Sequence, residues 1–124
     1  MPNPNFVLLY VDDPARSAAF YAGILGRDPV EASPTFAMFE ANTGLMLGLW
    51  SRRGVEPAPA AQPGSSELDI SVSAAAEVDR LHDEWKARGI PIAQPPTGMD
   101  FGRTFVALDP DTHRLRVFSP ADAA

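Results

Sequence analysis

The order of hydrophobic segments repeats, and that repeat constrains this chain more than any single motif. On either side of residues 51–66 the sequence runs strand, helix, strands. Residues 6–11, FVLLYV, have the aromatic and β-branched make-up of a strand. Asp13 then stands before Pro14, a helix cap followed by a residue whose missing N–H is no loss in the first turn. Ala18, Phe20, Tyr21, Ile24 and Leu25 follow at helical spacing, and Gly26 ends the segment. After Pro34 come a strand over 35–40, a hairpin turn at Asn42-Thr43-Gly44 and a returning strand over 45–50. The second half has a strand over 67–72 and a helix over 75–88. Val78, Leu81, His82 and Trp85 form the helix's inner stripe, and Gly89 stops it. A short strand over 90–92 and a loop through Met99 lead to a closing hairpin within 101–118. Its four-residue turn is Asp109-Pro110-Asp111-Thr112.

The halves share element order rather than identity. Strands and helices in this order imply an α+β domain with mostly antiparallel pairing. Residues 51–66 are rich in proline, glycine and alanine and read as a linker. It joins module 1 (1–50) to module 2 (67–124) within a single domain of 124 residues. Each module offers little core, so the two are expected to pair with each other or with a second chain.

Charge and composition exclude several functions. The net charge of −6 argues against a nucleic-acid surface, which needs clustered Lys and Arg. The absence of cysteine excludes disulfides, thiolate metal sites and a cysteine nucleophile. The apolar run at 6–11 falls far short of the ~20 residues of a membrane helix. Residues 1–13 lack the basic and apolar regions of a secretory signal, so a cytoplasmic protein is expected. No Ser-His-Asp signature or phosphate loop is present.

The stretch FGRTFVALDPDTHRLRVF poses the functional question, because Arg116 stands between apolar Leu115 and Val117. Strand alternation puts it on the face opposite the helices. There it pairs with Glu67 or Asp69, or it meets an anionic ligand. Pairing across the four-residue turn sets Arg103 and Phe105 on the face of Arg116 and Phe118, with Val106 and Leu108 beside Leu115. Tyr10 and Leu8 share the parity of Phe6. Phe36 and Met38 are taken for the same ligand face, and Met99 and Phe101 for a loop that could lid it. Trp50 ends its strand with a flat ring suited to stacking, whereas Trp85, Phe20 and Tyr21 read as core.

The opening LYVDDPARSAAFYAGILGR and the closing FGRTFVALDPDTHRLRVF resemble the vicinal oxygen chelate superfamily of glyoxalases, dioxygenases and bleomycin-resistance proteins. Within it the chain looks like the phenazine antibiotic-resistance type, through YVDDPARSAAFY, LGLWSRRGVEPA, SEL and EVDRLHDEW. The resemblance implies two βαβββ modules curled into a cup, a mixed and antiparallel half-barrel, within a module-exchanged homodimer. It implies a planar aromatic ligand, phenazine-like, stacked on Trp50 and held without chemistry. Glu67, Phe101, Arg103, Phe105 and Arg116 join Trp50, Tyr10, Phe36 and Met38 as the candidate ligand-binding residues. The superfamily's enzymes carry metal ligands at places occupied here by Phe6, Glu67 and Arg116. Phe6 has nothing to donate and a guanidinium stays protonated, so no metal, cofactor or catalytic residue is expected. The alternatives are a metal-dependent glyoxalase- or dioxygenase-type enzyme, or a binder of another small molecule. At Thr112 the family usually has glycine.

Overall fold

The computed structural model describes residues 2–120. The chain divides into two compact units, Met1–Ala61 and Gln62–Ala124. Both have the order strand, helix, three strands. Unit 1 contains β1 (Phe6–Val11), α1 (Pro14–Leu25), β2 (Glu31–Ala32), β3 (Phe36–Asn42) and β4 (Leu45–Ser51). Unit 2 contains β5 (Glu67–Ser71), α2 (Ala75–Ala87), β6 (Ile92–Met99), β7 (Gly102–Leu108) and β8 (Arg114–Pro120). The sheet orders are β1-β4-β3-β2 and β5-β8-β7-β6. In each, the first strand runs parallel to the last and every other pair is antiparallel. The α+β class and the βαβββ repeat are therefore as expected.

Local signals account for the helices. The Asp13 carboxylate accepts the N–H groups of Ala15 and Arg16, at 3.1 and 3.4 Å, and Pro14 opens the first turn of α1. Gly26 adopts φ 66°, the left-handed conformation that returns its N–H to the Ala22 carbonyl at 2.9 Å. In unit 1 α1 lies against β3 and β4, burying Tyr21 with Phe39, Leu47 and Leu49. In unit 2 α2 lies against β6, β7 and β8, burying Val78 and Trp85 with Leu115 and Val117.

Three expectations are corrected. Residues expected as a loop before Met99 form β6, which carries Pro95 and Pro96 and two register shifts. Proline fits because β6 is an edge strand and its bulges need no ladder N–H there. Met99 therefore ends a strand and Phe101 sits in a tight turn, so neither belongs to a lid loop. The linker also begins later than residue 51. Ser51 completes β4, Arg52–Gly54 form a 3₁₀ turn, and Val55 is buried.

The third correction concerns the closing turn, which has five residues. Asp109 is buried, and its Oδ1 accepts the N–H groups of Asp111 and His113 at 2.9 and 2.8 Å. Its Oδ2 lies 2.9 Å from His113 Nδ1. These bonds draw His113 into the turn, and pairing resumes at Leu108 opposite Arg114. One extra residue inverts the strand faces. Val106, not Phe105, stands opposite Arg116, and Phe105 pairs with Val117 on the helix side. Arg103 follows Phe105 to that side.

Within this turn Thr112 has φ 68°. A threonine in the left-handed region is strained and glycine is not. Thr112→Gly is expected to stabilise the protein by about 0.5–1 kcal/mol, read from its urea midpoint. An unchanged or lower midpoint would show that the Asp109 bonds already absorb the strain.

Candidate functional site

The face of unit 1's sheet turned away from α1 is apolar apart from Glu31 and Glu40. Alternation and register bring Phe6, Leu8 and Tyr10 of β1 beside Met46, Gly48 and Trp50 of β4, and then Phe36 and Met38 of β3. Phe6, Leu8 and Tyr10 remain 43, 42 and 37% exposed. A cleft of about 430 Å³ is lined by Phe6, Leu8, Phe36 and Trp50. It is shallow and largely open, so it offers an apolar platform rather than an enclosed pocket. Tyr10 meets Trp50 edge to face, with ring centroids 6.4 Å apart at 75°.

Gly48 makes the cleft possible. A Cβ at this position would lie 2.6 Å from Leu8 Cδ2, 2.8 Å from Phe6 Cε1 and 3.1 Å from Phe36 Cζ. Its missing side chain lets three side chains converge over β4. The sequence reading passed over Gly48; its place inside an otherwise apolar strand was the available signal.

In unit 2, Arg116 is bound by internal partners. Its Nε and Nη2 donate to the two Glu67 oxygens, each at 2.9 Å, and Nη1 reaches Gln94 Oε1 and Thr104 Oγ1 at 3.3 Å. This forked pairing matches guanidinium to carboxylate geometry. Hydrogen bonds from Arg116 hold the Glu67 carboxyl below its ordinary value. Burial, followed by the hydrogen bond and charge of Glu67, pushes neighbouring Asp69 up. The Arg116 guanidinium also lies 5.9 Å from the Phe101 ring centre, and Phe101 meets Phe118 edge to face at 6.0 Å.

The sequence-derived residues therefore divide by place. Trp50, Tyr10, Phe36 and Met38 share one face of unit 1. Glu67, Arg116 and Phe101 lie together in unit 2. Arg103 and Phe105 do not join them, because the inverted register sends them to α2. Arg103 Nε donates to Asp79 Oδ1 at 2.9 Å, and fully buried Phe105 packs on His82 and Trp85.

At the three places where the resemblance puts metal ligands, the residues present do not fit an ion. Of the three ligand places, Phe6 lacks a donor, Arg116 is a cation, and both Glu67 oxygens are bonded to that cation. Among the described residues no group of three or more His, Asp or Glu is gathered to hold an ion.

Residues 3–117 match the Glyoxalase/Bleomycin resistance protein/Dioxygenase superfamily. The chain belongs to this superfamily. It is 36% identical over 117 residues to the phenazine antibiotic resistance protein EhpR of Enterobacter agglomerans, spanning 92% of this chain and 89% of that protein. A solution NMR structure of an Agrobacterium tumefaciens protein is 49% identical, with a TM-score of 0.89, covering 98% of this chain and all of that one. A glyoxalase-related enzyme from Fulvimarina pelagi is 26% identical, with a TM-score of 0.84, covering 99% of this chain and 94% of that one. The superfamily thus joins resistance proteins and enzymes on one fold, and function must be argued from the site. Among the described residues no helix is long and apolar enough to cross a membrane.

Proposed function

We propose that this protein binds a planar aromatic antibiotic or secondary metabolite, phenazine-like, without metal and without chemistry, and confers resistance by sequestering it in the cytoplasm. The observation that carries the reading is the apolar cleft of Phe6, Leu8, Phe36 and Trp50, with no nucleophile or metal-ligand set in its lining. Similarity to a phenazine antibiotic resistance protein over most of both chains supports it. Burial of flat apolar surface would supply the affinity, and Trp50 the stacking partner. The working form in this reading is a homodimer, as the family resemblance implies.

The test is a tryptophan-fluorescence titration of metal-free protein with unsubstituted phenazine, with bleomycin as control. Saturable quenching near one ligand per chain is expected. Trp50→Ala should weaken binding by about 1–3 kcal/mol, checked by calorimetry because the reporter is lost. Unchanged affinity in that variant would remove Trp50 from the site, and no binding by the parent protein would remove the phenazine reading.

A further inference from the structure

In unit 2 the start of α2 opens on a polar, half-open hollow of about 350 Å³. Its lining includes Ser73 and Ala75 from the helix entry and Arg103 and Ser119 from the sheet. Register explains how the last two meet. Arg103 and Ser119 stand opposite each other on β7 and β8. They lie on the sheet face where Leu115 and Val117 are buried against α2.

Ser119 marks the hollow as a site. It is only 6% exposed, yet its hydroxyl makes no hydrogen bond among the described residues. The little surface it keeps opens on the hollow. Hydroxyls this deep are ordinarily bonded, so this one lacks a partner from outside the chain. The first turn of α2 has the same lack. Ala74 holds the cap position and has no side-chain oxygen to offer the N–H groups of Ala75 and Ala76. In α1 the Asp13 carboxylate takes the equivalent N–H groups. Arg103 supplies the charge. Its Nε donates to Asp79 Oδ1 at 2.9 Å, which holds the guanidinium in place and leaves both Nη groups unbonded. Glu77, the other carboxylate near the start of α2, is held by Arg80 at 2.8 and 3.1 Å.

We propose that this hollow binds a small oxyanion of the phosphate kind, free or as the phosphoryl end of a small molecule. The anion is held by the first amides of α2, the Ser119 hydroxyl and the free edge of Arg103. The positive end of a helix and its unsatisfied N–H groups favour an anion, and a guanidinium edge suits two oxygens of a tetrahedral one. This site lies in unit 2, whereas the aromatic cleft lies in unit 1, so the inference stands whether or not the cleft binds a phenazine.

The test is an NMR titration of isotope-labelled intact protein with inorganic phosphate, with methyl phosphate in a second series and chloride at equal ionic strength as control. Saturable shifts centred on the amides of Ala75, Ala76 and Ser119 are expected with phosphate and not with chloride. Tighter binding of methyl phosphate would support the phosphoryl end of a small molecule as the natural occupant. Tighter binding of phosphate would support the free ion. Ser119→Ala should weaken binding by about fivefold. It should leave the urea midpoint unchanged, because the hydroxyl makes no internal bond. Arg103→Gln should weaken binding by about tenfold or more. If that variant fails to fold, Ser119→Ala decides alone. Diffuse shifts that do not saturate, shifts centred elsewhere, or unaltered affinity in a folded variant would overturn the site.

Discussion

Phe105→Ala is expected to destabilise the protein by about 3–5 kcal/mol while leaving affinity for an aromatic ligand unchanged in the folded fraction. Phe105 is fully buried, and its ring meets Trp85 edge to face at 5.3 Å and His82 at 5.5 Å. Removing it opens a cavity between β7 and α2 that Trp85, itself 3% exposed, is poorly placed to fill. Urea unfolding gives the stability and calorimetry the affinity. A variant of near-normal stability that bound ligand poorly would return Phe105 to the ligand face and overturn the register described for the closing hairpin.

Glu67→Gln is expected to cost about 1–3 kcal/mol at neutral pH, because it leaves Arg116 half-buried without its charged partner. The pH dependence carries the sign. The folded-state value of Glu67 lies below its ordinary 4.5, so its stabilising contribution is fully present above that value. That contribution is lost as pH falls through the lowered folded-state value. The gap between parent and variant should therefore be flat near neutrality and close in acid. Asp69 acts in the opposite direction, its ionisation opposing folding as pH rises through its raised value. Burial, the larger cause of that shift, is common to both proteins. A gap that widened in acid would show that the Glu67–Arg116 pair does not stabilise the fold.

Much of this molecule was legible where a residue's role depends only on near neighbours. Asp13, Pro14 and Gly26 bounded α1 because caps act within one turn. Alternation gives Phe6, Leu8 and Tyr10 one face, whereas Phe36 is a choice between the two faces of its strand and Trp50 comes from its flat ring and the resemblance; register sets all of them on one side of the sheet. The failures have equally local causes of another kind. β7 is apolar on both faces over Phe105, Val106 and Ala107, so its pattern does not say which residues face the helix. Only the turn length decides that, and the length depends on the Asp109 carboxylate capturing His113. The segment before Met99, expected as a loop, is β6 with Pro95 and Pro96 inside it; edge position and bulging depend on sheet order, which no window of sequence contains. Gly48 was passed over for the converse reason: what matters there is the space its absent side chain leaves to Phe6, Leu8 and Phe36.

The parallel pairing of first strand with last gives the cleft an order of assembly. Phe6 and Leu8 belong to β1, and Trp50 sits at the far end of β4, with a helix and two strands between them in the chain. The two walls of the cleft meet only when the longest loop in unit 1 has closed, which is the slow kind of contact in folding. Both walls are present only in a piece that reaches from Phe6 to Trp50. A ligand that enters this cleft therefore recognises only chains in which β1, β4 and β3 have come together, and by mass action it draws the folding equilibrium toward them.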